Sequence, residues 1–388
     1  MLNLGIIGYG RRISHMAQRL NAFNIPCRIA AIADPRSDEI RTAGDDTLSK
    51  TTFYESADEL LSHPDQLDGV MVGTRCFMHT EMACKVAPGE LPLFLEKPVA
   101  ISFDQVRQLK RAFKDVKAPV VVSFPLRLSP VLQKVKEIVD SDQIGTVEQI
   151  VAVNDVPYGH VYYQAWFRNY DQSGGLFLQK ATHDIDYMNY LMDQTPRRIS
   201  AMKALRVFGG DRPFNLRCET CDENETCTES PLVRYREGFE GSEVAFDQRN
   251  GACMFSEGLE LEDMGSCQIE YENGAQASYT QNFFARHNAG RRGARLYGYK
   301  GTIEFDWYLN QIKVHSHRSP VTETIDFTGS MPHFGGDREL SFDFVMAMRD
   351  GKPSRTPIEA GIESALTCLW AREAAETHRV CEVAGYPD

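Results

Sequence analysis

The sequence predicts an α/β protein in two parts: a doubly wound parallel sheet, then a domain of antiparallel strands and helices. Three observations carry this. Residues 2–13 run from an apolar stretch through two glycines into a helical pattern. Short apolar runs then alternate with amphipathic stretches to about residue 123. From about residue 146 the pattern changes to alternating strands joined by hairpin signals.

A length of 388 residues suits two domains, or one large domain with insertions, and 42% hydrophobic residues are enough for ordinary cores. No apolar run approaches the ~20 residues of a membrane span. The N-terminal MLNLGIIGYG enters a strand pattern at once, without the regions of a signal peptide, so a cytoplasmic location is expected. The net charge of -12 repels phosphate backbones and anionic lipid, which argues against nucleic-acid and membrane partners. Ten cysteines in such a chain are expected as thiols or metal ligands rather than as a disulfide framework.

The first strand, LNLGII, leads into GYGRRI and the helical SHMAQRL. Gly8 and Gly10 occupy the first two positions of the dinucleotide fingerprint G-x-G-x-x-G; the third is Ile13, which implies looser helix–strand packing or a displaced helix. Gly8 permits the tight turn, Gly10 the close approach of a pyrophosphate, and the helix start offers N–H groups to it, with Arg11 and Arg12 adding charge. A second strand, CRIAAIA, ends at Asp34, 24 residues after Gly10. An acid at about that spacing accepts from a ribose 2′-hydroxyl, so NAD is the expected cofactor; Arg36 keeps NADP open, since an arginine can hold a 2′-phosphate. The bland alternative is a surface turn, DPRSDE.

LDGVMVGTR, LPLFLEKPVA and APVVVSFPL read as further buried strands, with SADELLSH and FDQVRQLKRAFK as helices between them. Ligands of such sheets lie beyond the carboxyl ends of the strands. Thr74, Arg75, Glu96, Lys97, Pro98 and Arg127 stand there. Desolvation of Lys97, between a buried strand and a proline, lowers its pKa toward neutrality and suits it to proton exchange with a hydroxyl; otherwise it is a solvated loop lysine.

In the second part, TVEQIVAVNDV and RRISAMKALRVF are β-rich. Asn273-Gly274 joins two alternating runs in SCQIEYENGAQASYTQNFF, and GTIEFDWYLNQIKVHSH reads as another hairpin. The segment GGLFLQKATHDIDYMNYLM, residues 174–192, predicts one helix behind a glycine hinge. Leu178, Ala181, Ile185, Met188 and Met192 form its apolar stripe, and Gln179, His183, Asp186 and Tyr190 a polar one. Within an insertion over about 216–255, Cys218, Cys221, Cys227 and Cys253 offer four thiolates for a structural zinc ion; the alternative is four free thiols.

GIIGYGRR, the strand ending at Asp34, LEKPVA and the glycine-led HDIDYMNYL occur in one order that resembles the glucose–fructose oxidoreductase / inositol dehydrogenase / MocA (Gfo/Idh/MocA) family. The resemblance covers most of the chain. It implies a Rossmann domain, here 1–123, followed by a substrate-binding α/β domain, 124–388, on a large, open, mainly antiparallel sheet. C-terminal helices are expected to pack back near the cleft. It implies a homodimer or homotetramer through that sheet and NAD(P)-dependent chemistry on a sugar, inositol or polyol hydroxyl. By position, Lys97 is the family's lysine beside the nicotinamide, ahead of a bond that is often cis, and His183 is its substrate histidine. Where the family usually has an aspartate, one turn before that histidine, this chain has Gln179. HFGGDREL resembles a family segment near the cleft, which makes His333 and Asp337 substrate contacts, or else a glycine turn and a helix cap.

Proton handling therefore falls to Lys97 and His183, with Gln179 orienting a hydroxyl or the histidine. Tyr162, Trp166 and Arg168, in YYQAWFRN, build a sugar-binding wall or simply pack in the core. The leading expectation is an NAD-dependent dehydrogenase or reductase. The alternatives are a glycoside hydrolase or lyase that retains NAD and oxidises a sugar carbon transiently, and a non-enzymatic NAD-sensing regulator.

Overall fold

A computed structural model describes residues 1–43, 45–237, 251–329 and 332–383. The first sheet has six parallel strands: β1 (Leu2–Ile7), β2 (Cys27–Ala33), β3 (Thr52–Tyr54), β4 (Gly69–Val72), β5 (Leu93–Leu95) and β6 (Val120–Val122). Their spatial order is β3-β2-β1-β4-β5-β6, the doubly wound Rossmann arrangement, with its switch point between β1 and β4. β4, β5 and β6 are apolar throughout because helices cover both of their faces, so every side chain is buried. The sequence pattern misses β3, an edge strand of three residues. Crossover helices start where expected: Ser56 caps Ala57–Leu61 through the Glu59 N–H, and Ser102 caps Phe103–Phe113 through the Gln105 N–H.

One face of this sheet is completed from far along the chain. Helix Gly336–Asp350 places Leu340, Phe344, Val345 and Met348 in one core with Leu4, Ile6, Met71, Phe94 and Val121. The rings of Phe94 and Phe344 meet edge-on at 5.6 Å. The Rossmann layer thus contains residues well beyond 123.

The second sheet has nine strands: β7 (Val147–Asp155), β8 (Pro196–Ala204), β9 (Met264–Tyr271), β10 (Gln276–Asn282), β11 (Arg291–Gly298), β12 (Gly301–Asp306), β13 (Gln311–Ser316), β14 (Thr322–Asp326) and β15 (Cys381–Glu382). Their order is β14-β13-β12-β11-β7-β10-β9-β8-β15, with β7 and β10 parallel and the other neighbours antiparallel. Gly274, at φ 88°, closes the β9–β10 hairpin as the Asn-Gly pair predicts.

The histidine segment departs from the single helix predicted for it. Leu176–Gln179 forms one turn, Lys180 leaves the helical path at φ -112° and ψ -53°, and a new helix runs Thr182–Met192. That helix is buried nearly all round rather than on one stripe. Its carboxylates are buried because both are paired, Asp184 as follows and Asp186 with Arg127. Asp184 accepts from Arg292 Nε and Nη2 at 2.8 and 3.0 Å, from Asn154 Nδ2 at 2.7 Å and from Tyr279 Oη at 3.0 Å. Asn189 accepts from Tyr271 Oη at 3.1 Å. Among the described residues no helix is long and apolar enough to cross a membrane.

Candidate functional site

The glycine loop follows β1 at the switch point. Gly8 has φ 83°, and a Cβ there would stand 2.8 Å from the Thr74 nitrogen, so only glycine fits. A Cβ on Gly10 would meet nothing closer than the Gly73 carbonyl oxygen at 3.7 Å, which leaves its approach open to a ligand. Helix Arg11–Arg19 starts here with no acidic residue in its first turn. A glycine cradle aimed by a helix N-terminus fits a dinucleotide pyrophosphate. At the end of β2, Asp34 accepts from the Tyr9 N–H and the Arg36 N–H, both at 2.8 Å, and from Arg36 Nε at 3.2 Å. The carboxylate fits a ribose diol, with Arg36 beside it.

Ile13 does not loosen the packing, as the departure from the fingerprint implied. It is fully buried, and a Cβ on Gly73, at the end of β4, would lie 1.9 Å from Ile13 Cγ1. The glycine needed for close helix–strand contact is on the strand side instead. Gly73→Ala is expected to cost roughly 1–3 kcal/mol of stability through overpacking, and to weaken dinucleotide binding by shifting the loop. Restoration of both by adding Ile13→Ala, measured by denaturant titration and dinucleotide titration, checks it; an undisturbed single variant refutes it.

Arg12 does not face a pyrophosphate freely. Its guanidinium grips Asp337 through two bonds of 2.7 Å, donates to Glu96 Oε1 at 3.1 Å and to Ser123 Oγ at 3.2 Å. Asp337 also holds His333 Nδ1 at 2.9 Å, and the arginine and histidine keep its carboxyl well below the usual carboxylate range despite burial. Asp337 is therefore a clamp between the glycine-loop helix and the C-terminal helix rather than a helix cap. The cap position is Gly335, preceded by His333 and Phe334 at φ 46° and 55°. Three consecutive left-handed residues at a cleft mark backbone conformation held by surrounding contacts.

Beyond β5, the Lys97–Pro98 peptide is cis. His79, absent from the sequence expectations, bridges two strand-end loops, with Nδ1 2.8 Å from the Pro98 carbonyl and Nε2 3.1 Å from that of Thr74. Thr80 donates to the Val99 carbonyl at 2.8 Å. Lys97 Nζ donates to the Gln179 main-chain carbonyl at 2.6 Å and approaches Oε1 at 3.4 Å. The helix break makes that carbonyl available. Burial lowers the Lys97 pKa to about 8, against the opposing pull of Cys76 and Glu96. His183 is held neutral by burial and by Lys97, Arg292, His333 and Lys180 around it. Its Nδ1 is buried without a hydrogen-bond partner among the described residues, and its ring meets Phe124 edge-on.

The remaining expected contacts divide. Arg75 lies 4.2 Å over the Trp166 ring, so the loop after β4 meets the segment that follows β7. Tyr162 is buried among Phe167 and Phe283. Arg127 is committed elsewhere: its fork binds Asp186 at 3.1 and 2.5 Å and its charge lies over Tyr190. Arg168 donates to the Cys253 carbonyl and to Ser256 Oγ, tying the cysteine insertion to the domain. Cys218, Cys221, Cys227 and Cys253 converge on one cavity of about 310 Å³. Among the described residues, however, no three His, Cys, Asp or Glu side chains are disposed to hold a metal ion, so the zinc expectation finds no ligand geometry. Residues 238–250 of that insertion lie outside the described residues.

Residues 2–124 match the family model "Oxidoreductase family, NAD-binding Rossmann fold", and residues 132–304 match "GFO/IDH/MocA C-terminal domain". The oxidoreductase YteT of Bacillus subtilis (strain 168) is 28% identical over 273 residues, covering 65% of this chain and 63% of its own. Inositol 2-dehydrogenase of Rhizobium meliloti (strain 1021) is 25% identical over 53% of this chain and 59% of its own. The chain thus spans less than two thirds of the length of either relative. Among solved structures, levoglucosan dehydrogenase in complex with NADH and levoglucosan has a TM-score of 0.77 at 17% identity, covering 99% of this chain and 100% of that one. An oxidoreductase domain protein from Kribbella flavida has a TM-score of 0.78 at 16% identity, covering 99% of both chains. At these identities the solved structures speak for the fold alone. With its glycine-loop sheet matched by one half of the family's models and its nine-stranded domain by the other, the chain belongs to the Gfo/Idh/MocA family of oxidoreductases.

Proposed function

We propose that the protein is an NAD(P)-dependent oxidoreductase, with NAD preferred, acting between the hydroxyl and keto forms of a sugar, inositol or related polyol. The observation that supports this is Lys97, buried beyond β5 on the Gln179 carbonyl and close enough to buried His183 for its charge to act on that ring, in a sheet that carries the Gly8–Gly10 loop. A bound nicotinamide cofactor supplies the hydride donor or acceptor. Gly8, Gly10 and the start of helix Arg11–Arg19 hold the pyrophosphate, and Asp34 the ribose. Lys97, with a pKa near 8, is partly neutral at physiological pH and takes a proton from the reacting hydroxyl, or returns one. Neutral His183 offers one ring nitrogen, a donor or an acceptor according to its tautomer, to the same hydroxyl. Gln179 exchanges no proton; it holds the lysine amine in place through two oxygens. The inositol dehydrogenase relatives support the polyol class.

The test is thermal stabilisation by NAD, NADH and NADP, followed by a screen of sugars, inositols and glycosides for NADH formation. Stabilisation by NAD and NADH production from at least one polyol are expected. Failure of every dinucleotide to raise the melting temperature overturns the proposal, and glycoside cleavage without net NADH replaces it with the hydrolase alternative.

A further inference from the structure

Lys180 occupies the break between the two short helices, one residue after the carbonyl that anchors Lys97. It is 4% exposed. Its Nζ donates to Tyr158 Oη at 2.6 Å and lies over the Tyr158 and Tyr162 rings at 4.7 and 6.0 Å. Those partners are neutral. Among the described residues no carboxylate lies within ion-pair distance of Nζ, and the same holds for Lys97. The nearest acid, Asp184, is already gripped by both arms of Arg292 and by Asn154 and Tyr279. Asp337 is likewise taken by Arg12 and His333. Two buried amines and a buried histidine thus lie close enough to feel one another's charge, while the nearby acids Asp184, Asp337 and Glu96 are each paired with an arginine. A buried amine in that position is stable only as the neutral base, or when a ligand supplies a negative charge. Burial and Arg292 do push the Lys180 pKa well down in the ligand-free protein, with Asp184 opposing.

Resting on the functional reading above, we infer that the substrate is an anionic polyol: besides its reacting hydroxyl it carries a carboxylate or phosphate, which Lys180 receives. The division of labour follows. Lys97, bonded to a backbone carbonyl, works on the hydroxyl; Lys180, whose hydrogen-bond partner among the described residues is the Tyr158 hydroxyl, takes up a proton as the anion arrives and pairs with it. Charge selection of this kind fixes one end of the substrate and so decides which carbon faces the nicotinamide.

The test is titration calorimetry of D-glucuronate, D-gluconate, glucose 6-phosphate, glucose and myo-inositol, with and without NADH, in two buffers of different ionisation enthalpy. Wild type is expected to bind at least one anionic probe roughly ten- to a hundredfold tighter than the neutral ones. That binding is expected to take up protons and to weaken with salt. The carboxylate and phosphate arms identify which anion fits. Lys180→Met is expected to lose the preference and the proton uptake while keeping affinity for neutral probes, and Lys180→Arg to retain part of the preference. Equal affinity for neutral and anionic probes in wild type overturns the inference, as does a preference unchanged in Lys180→Met. If that variant does not fold, the wild-type preference and its proton uptake decide. Anionic probes that bind with this preference but are never oxidised sink the functional reading and leave the charge assignment standing; if no probe of either class binds, both fall.

Discussion

Lys97→Met is expected to lower kcat by about 10²–10⁴-fold on whichever polyol the wild type oxidises, the usual contribution of a positioned proton-transfer group. The wild-type rate of oxidation is expected to rise with pH through about 8, because the neutral amine is the proton acceptor and deprotonation of Lys97 produces it. In the variant that limb disappears. Methionine preserves much of the aliphatic stem, so the melting temperature and the NAD stabilisation shift are expected to stay near wild type. A variant that turns over as fast as wild type, or one that keeps the pH limb near 8, removes the role assigned to this lysine.

The largest effect on stability is expected at Asp184. Arg292 and Asp184 are both essentially inaccessible to solvent, and the carboxylate also satisfies Asn154 and Tyr279. Asp184→Ala leaves a buried guanidinium uncompensated, a loss of about 3–5 kcal/mol. It should appear in a denaturant titration as a lower midpoint at unchanged slope. Asp184→Leu combined with Arg292→Met is expected to recover part of that loss, because an apolar pair of similar volume avoids the desolvation cost. A single variant within about 0.5 kcal/mol of wild type would show that the network contributes little. The pair joins helix Thr182–Met192 to β11, so its loss also loosens His183, and dinucleotide-linked activity is expected to fall with stability.

The features legible in the sequence are those whose physics is local. Gly8 announces a turn because no other residue adopts that backbone there; Asn273-Gly274 announces a hairpin for the same reason. Buried parallel strands announce themselves by unbroken apolar runs. What stayed hidden depends on partners far along the chain. The exchange of glycine and isoleucine between positions 13 and 73 is a contact across 60 residues. Arg127 stands beyond a strand end, where ligands bind, yet Asp186 claims it; Arg168 sits beside the aromatic pair, yet Ser256 and the Cys253 carbonyl claim it. Arg12 looks like a phosphate ligand until Asp337, 325 residues on, closes on it. Lys180 falls in a helical pattern, where a lysine ordinarily extends to solvent. Only the break in that helix turns it inward, and no local residue pattern announces the break. The cysteines converge as their spacing implied, but convergence on a cavity is a weaker condition than tetrahedral ligation.

That break also bears on how freely position 179 can change. The short bond from Lys97 goes to the peptide oxygen of residue 179, and every amino acid has one; the side-chain oxygen lies farther off. Anchorage of the Lys97 amine is thereby uncoupled from the identity of the side chain at 179. An aspartate, a glutamine or a smaller residue at 179 can retune the local charge and hydrogen-bonding pattern without releasing the lysine. The charge beside the lysine can in this way change while Lys97 stays where it is.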